Sequence, residues 1–237
     1  MIIHSISGPR NISTSLMYSF AQRRDTTVVD EPFYAAYLRK NTELAHPDRE
    51  QILNSQSQDA EKVYAWITQS ADKSELFYVK DMAHHFSEIQ LPPFESSKAI
   101  FLVRHPEKLI ASFQKVIAKP TLKDIGLKDE WDLYKSFVKQ GIPSFVVPTE
   151  KLTERPEHGL KILCDKLEIP FTKAMLEWKA GPKYYDGCWA PHWYANTHRS
   201  TGFMPFLTQE SSLDDHGRAL LEESIPFYLH LMKHAIL

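Results

Sequence analysis

The chain has 237 residues, 43% hydrophobic and 12% aromatic, with 28 basic against 30 acidic side chains and a net charge of -2. That length supports one sizeable core without disulfide or metal staples. The near balance of charge counts against a bulk nucleic-acid binder or a polybasic membrane binder. Cys164 and Cys188 form no Cys-x-x-Cys pair, which fits reduced thiols and no structural zinc. The first residues lack a basic n-region and a cleavage site, and no apolar run approaches the roughly 18 residues that span a bilayer. The expectation is a cytoplasmic protein forming a single domain over residues 1–237.

Met1 to Ser7 is mostly apolar and β-branched and stops at Gly8-Pro9, which predicts a buried strand and a turn. Ser13 to Arg24 carries Leu16, Met17, Phe20 and Ala21 at the spacing of one helix face. Thr26 to Asp30 reads as a second strand, ended by Pro32. Gln58 to Ser70 reads as a helix and Glu75 to Lys80 as a third strand. Ala99 to Val103 is a continuous apolar run, as in a strand covered on both faces. A helix follows Pro106 over Lys108 to Ala118, and a fifth strand spans Pro143 to Val147. Helices are expected at Glu157 to Glu168, at Phe171 to Lys179, and over about Glu210 to Ala235 with a break at Pro226. Residues 180–206, rich in Gly, Pro, Trp, Tyr and His, read as an irregular lid or binding loop. Short apolar strands alternating with helices predict an α/β fold: a central parallel sheet with helices on both faces, in three layers.

The segment Gly8-Pro9-Arg10-Asn11-Ile12-Ser13-Thr14-Ser15 joins the first strand to a helix N-terminus. Backbone amides and the helix dipole converge on an anion at such a place. Three hydroxyls add donors, and Arg10 adds a fork that matches phosphate. A nucleotide-hydrolase P-loop would read Gly-x-x-x-x-Gly-Lys-[Ser/Thr]; here the second Gly and the Lys are missing. Arg104 stands at the end of the fourth strand, where a magnesium-holding acid would be typical. A sulfuryl group carries less charge than a phosphoryl group and is handled without a metal. The second segment is Arg104-His105-Pro106, with Ser112 eight residues after Arg104. The strand delivers the Arg, Pro106 restarts the chain as helix, and Arg and Ser are then placed to converge on one phosphate.

Together the two segments resemble the sulfotransferase family, whose donor is 3′-phosphoadenosine 5′-phosphosulfate and whose fold is of the P-loop type. Pro9 to Thr14 lies over that family's Pro-[Lys/Arg]-Ser-Gly-Thr-Thr loop, with Asn11 for Ser and Ile12 for Gly. Arg104, Pro106 and Ser112 match its 3′-phosphate motif. A nearer likeness is to sulfotransferase-like proteins with a Gly-Pro-Arg-Asn-x-Ser-Thr loop and a later His-Arg-Ser-Thr-Gly segment, here His198 to Gly202. The resemblance implies donor contacts by Arg10, Asn11, Ser13, Thr14, Ser15, Arg104 and Ser112, with Arg199, Ser200, Thr201 and Gly202 closing over the donor. It implies a small-molecule hydroxyl or amine acceptor, no nucleic-acid or membrane partner, and no metal. It also places Lys80 where the family has a lysine able to contact the bridging oxygen.

Sulfuryl transfer needs a base for the acceptor proton. Glu31 follows the second strand on the edge where ligands bind in open α/β sheets. His84 and His85 follow the third strand, while Met82 fills the position of the family's histidine. All three stay candidates, Glu31 and His85 ahead. His230 and His234 are four apart on a helix but lack an acidic partner in that turn, so they read as a helix-end pair rather than metal ligands. The aromatic residues from Trp178 to Phe203 line either a satellite core or an adenine or acceptor pocket. Two other functions remain open on the same fold, an ATP-dependent kinase and a non-enzymatic nucleotide-binding module.

Overall fold

The computed structural model describes residues 1–42, 48–86, 89, 96–115, 117, 119–205 and 213–237. Five strands form one sheet: β1 (Ile2–Ser7), β2 (Thr26–Asp30), β3 (Leu76–Met82), β4 (Ser97–Val103) and β5 (Ser144–Pro148). Their order is β2-β3-β1-β4-β5, and every pairing is parallel. The helices are α1 (Ser13–Phe20), α2 (Tyr34–Lys40), α3 (Arg49–Ser55), α4 (Ala60–Ala71), α5 (Pro106–Phe113), α6 (Leu122–Ile125), α7 (Leu127–Lys139), α8 (Thr149–Glu154), α9 (Pro156–Leu167), α10 (Ala190–Trp193), α11 (Ala195–Arg199) and α12 (Asp215–Met232). Single 3-10 turns occupy Ala83–Phe86 and Lys173–Leu176.

The alternation of side chains along each strand divides the core. Ile3, Tyr78, Ile100, Leu102 and Val147 face α1, α8 and α9, where Leu16, Met17, Leu152, Leu160 and Leu163 meet them. On the other face Ile6, Ala99, Phe101, Val103 and Val146 meet α5, α7 and α12, while Ile2, Phe77 and Val79 meet α2 and α4. The three layers expected from the sequence are thus present. This topology positions the site. The chain leaves β1 for α1 on one face and leaves the adjacent β4 for α5 on the other. Neighbouring parallel strands whose connections part to opposite faces open a crevice at their carboxyl ends. Gly8 to Ile12 and Arg104-His105 lie at that crevice.

Several expected elements differ. The helix over Phe171 to Lys179 is only the turn Lys173–Leu176, because Thr172 caps it and Glu177 bridges antiparallel to Gly202. The helix expected to end at Arg24 stops at Phe20. Helix α5 starts at Pro106 itself, the favoured first helical position for proline. Helix α12 runs through Pro226 without a break; Pro226 and Glu222 both stand on the exposed side of the helix, where loss of the backbone bond that proline cannot make costs least. Residues 180–206 are less irregular than expected, since they hold α10 and α11. Phe206, the start of the last expected helix at Glu210, and Val116 and Ala118 lie outside the described residues. No helix among the described residues is long and apolar enough to cross a membrane.

Candidate active site

The loop after β1 is held at several points. Ile12 stands at the N-cap of α1 with no side-chain cap bond. Asn11 turns its amide on the protein itself: Nδ2 donates to Leu102 O on β4 at 2.6 Å and Oδ1 accepts from Ile12 N at 2.9 Å. It therefore shapes the loop. Arg10 has φ 60, a left-handed conformation costing about 1 kcal/mol or more for a non-glycine residue. Arg104 stabilises it, its Nη1 donating to Arg10 O at 2.6 Å. The Arg10 Nε in turn donates to Ser112 Oγ at 3.2 Å. Arg10, Arg104 and Ser112 thus come together from two segments, the loop after β1 and the end of β4 with α5, beside the buried hydroxyl residues Ser13 and Thr14. Burial pulls the Arg104 guanidinium down to about 10, with Glu150 opposing the shift and Arg10 adding to it. Arg10 and Arg104 thus bring two guanidinium groups to one crevice, near enough for each to feel the other's charge, and such a pair suits a polyanion.

A second cluster lies one strand away. Lys80 on β3 is directly opposite Asp30 on β2, and its ammonium is 1% exposed. Its Nζ donates to Asp30 Oδ1 at 2.9 Å, to Glu31 Oε1, and to Tyr194 Oη at 2.8 Å. Those bonds match the three protons of an ammonium. Burial pulls the Lys80 ammonium down, but Asp30 and Glu31 more than offset it and the net shift is upward. Tyr194 Oη also accepts from Trp189 Nε1 at 3.0 Å and donates to the Asp30 carboxylate at 2.8 Å. Gly187 N donates to Asp30 Oδ2 at 3.0 Å.

Glu31 has φ 43, a second left-handed residue at a strand end. Burial raises its carboxyl to about 7; Lys80 opposes the rise and the Asp30 charge adds to it. His85 Nε2 lies 3.8 Å from Glu31 Oε2, and its ring lies between Tyr34 and Tyr37, 4.5 and 5.1 Å away. His84 packs edge-on to Tyr37 at 5.1 Å. The structure therefore gathers Glu31, Lys80 and His85 closely, with His84 beside them. Two further members, Asp30 and Tyr194, carry no assigned role in the sequence beyond the end of the second strand and one place in the aromatic 178–203 stretch.

The 181–202 segment is tied to this cluster. Tyr18 Oη on α1 donates to Asp186 at 2.7 Å, and the His198 ring lies 3.0 Å from the same carboxylate. Trp178 and Phe203 pack with Tyr18 in one core, and Trp189 and Tyr194 with Tyr34 and Tyr37 in another. Tyr184, by contrast, is fully exposed. Arg199 bonds Asn196 at 2.6 Å, Ser200 Oγ accepts from Trp178 Nε1 at 3.2 Å, and Thr201 O accepts from Trp178 N. These bonds of residues 199–201 run to Trp178 and Asn196 rather than to Arg10, Arg104 or Ser112. His230 and His234 stack on Trp131, at 5.1 and 6.4 Å. Among the described residues, no group of three or more potential ligands is arranged to hold a metal.

A family model described as a sulfotransferase domain matches residues 1–235. Two Arabidopsis thaliana proteins, branched-chain-amino-acid aminotransferase-like proteins 1 and 2, are 40% and 37% identical over 238 residues, covering 98% of this chain. The chain spans only 42% of the length of those relatives. The sulfotransferase domain of the Synechococcus PCC 7002 olefin synthase superposes with a TM-score of 0.57 at 18% identity, over 94% of this chain and 93% of that one. The sulfotransferase domain from the curacin biosynthetic pathway superposes with a TM-score of 0.55 at 16% identity, over 100% and 98%. These two likenesses concern the fold.

Proposed function

This chain belongs to the sulfotransferase-domain family, and from that premise we propose that it transfers a sulfuryl group from 3′-phosphoadenosine 5′-phosphosulfate to a small hydroxyl or amine acceptor. The observation that carries the reading is the convergence of Arg10, Arg104 and Ser112 at the crevice between β1 and β4. In the proposed reaction the acceptor oxygen or nitrogen bonds to sulfur, the bond from sulfur to the bridging phosphate oxygen breaks, and 3′-phosphoadenosine 5′-phosphate leaves. The loop amides, Arg10 and the hydroxyls of Ser13, Thr14 and Ser15 stabilise the charge that develops on the leaving phosphate. Arg104 and Ser112 hold the 3′-phosphate.

Glu31 takes the acceptor proton. A carboxyl near 7 is a competent base at neutral pH, and Glu31 keeps 5% exposure where His85 keeps 1%. Lys80 then serves to orient Glu31, since its bonds already run to protein groups. His85 supports Glu31 from its other side. The Arg199 to Gly202 segment is assigned to covering the donor; in support, Phe203 just beyond it and Ile12 of the loop pack against the same core cluster.

Arg104→Ala tests the nucleotide part. Loss of a charge-assisted phosphate contact costs roughly 1.5–3 kcal/mol, so affinity for 3′-phosphoadenosine 5′-phosphate should fall about 10- to 150-fold by calorimetry. Adenosine 5′-phosphosulfate, which lacks the 3′-phosphate, should weaken by a smaller factor, through the lost support of the Arg10 carbonyl alone. Equal weakening of both ligands removes the 3′-phosphate assignment.

A further inference from the structure

Glu130 is an acid where its helix calls for an apolar side chain. Leu127, Tyr134 and Phe137 of α7 are buried against the sheet; Glu130 shares their face by helical spacing and is 1% exposed. A buried carboxyl is costly unless it is bonded. Glu130 Oε1 accepts the N–H of Gly8, the first residue of the loop after β1. The turn before α7 closes on the same residue. A Cβ on Gly8 would lie 2.6 Å from the Ile125 carbonyl oxygen, and a Cβ on Gly126, at φ 72, would lie 3.2 Å from Gly8 Cα. The segment 125–130 is moulded to the entry of the loop, as Asn11 and Arg104 are to its middle.

We propose that Glu130 is a positioning residue for the anion loop, its carboxyl group fixing the Gly8 amide so that the amides and hydroxyls from Arg10 to Thr14 face the donor phosphate. The assignment rests on the donor reading of that loop given above. Burial pushes the Glu130 carboxyl well above the usual range; the Gly8 bond opposes the rise and Asp129 adds to it.

The test compares Glu130→Gln, which keeps an acceptor of the same reach, with Glu130→Asp, which withdraws it by one methylene. Amide hydrogen exchange over residues 8–14 and calorimetry with 3′-phosphoadenosine 5′-phosphate are the readouts. The glutamine variant should retain protection and bind within about threefold of the parent. The aspartate variant should lose protection in 8–14 and bind about tenfold more weakly or worse. Parental behaviour of the aspartate variant, or equal loss in both variants, overturns the proposal. So does rapid exchange of the Gly8 amide in the parent protein, whether or not the aspartate variant folds. A parent protein that fails to bind the nucleotide overturns the donor reading instead, and the exchange comparison then decides the role of Glu130 alone.

Discussion

Glu31→Gln should lower the single-turnover rate of sulfuryl transfer by at least about 100-fold, because a positioned general base contributes about 10²–10⁴-fold. Donor affinity should stay within about threefold of the parent, since Glu31 lies outside the Arg10, Arg104 and Ser112 cluster. The pH profile adds a second readout. Burial holds the Glu31 carboxyl at about 7, so the parent rate should rise with pH as the proton leaves, then level off. The glutamine variant should lose that ascending limb. His84→Asn and His85→Asn, made separately, assign the alternatives: the group whose loss removes both the rate and the limb is the base. If Glu31→Gln stays within about threefold of the parent, Glu31 is not that base.

Lys80→Met should destabilise the fold by about 3–5 kcal/mol, the scale for breaking a buried ion pair and stranding its partner. The side chain is 1% exposed and faces two carboxyl groups, so the loss leaves Asp30 and Glu31 buried without a cation. Chemical denaturation measures this directly. The sign of the pH dependence follows from Glu31. Its folded value lies above its unfolded one, so the folded state binds the extra proton between them. The stabilising contribution is full below the unfolded value near 4.5 and is lost as pH rises through about 7. Without the ammonium that opposes the rise, the carboxyl shifts further up, so the gap between variant and parent should stay constant below about pH 6 and widen above about pH 7, where only the parent's folded carboxyl ionises. Adding Asp30→Asn should recover part of the loss. A single variant within about 1 kcal/mol of the parent at pH 8 would show that Lys80 does not sit between ionised partners.

Local patterns made the sheet legible. The apolar runs of β1 and β4, the breaks at Gly8-Pro9 and Pro106, and the hydroxyl-rich start of α1 are all written within a few residues of where they act. So is the eight-residue step from Arg104 to Ser112, although its bond to Arg10 is a tertiary fact. Helix α7 carries Leu127, Trp131, Tyr134 and Val138 at helical spacing, a local signal sufficient to find it, whereas the burial of Glu130 beside that stripe is a tertiary fact. The turn at Lys173–Leu176 was read as a full helix because its apolar residues fit the helical period, while the bridge from Glu177 to Gly202 that ends it is tertiary. Asp30 and Tyr194 are 164 residues apart, and nothing local in either marks the other. Only the fold brings the aromatic segment against Lys80, which also shows why Trp189 and Tyr194 are buried while Tyr184 and Trp193 stay exposed.

The central claim is that the crevice between β1 and β4 is built for a 3′-phosphorylated adenine nucleotide handled without a metal. Calorimetry with 3′-phosphoadenosine 5′-phosphate against ATP, each with magnesium and with a chelator, tests it most directly. The account predicts that the 3′-phosphorylated nucleotide binds at least about tenfold more tightly than ATP, a difference of about 1.4 kcal/mol, and that the chelator leaves its affinity unchanged. ATP binding that is tighter and depends on magnesium would contradict the account and place the chain's chemistry with phosphoryl transfer.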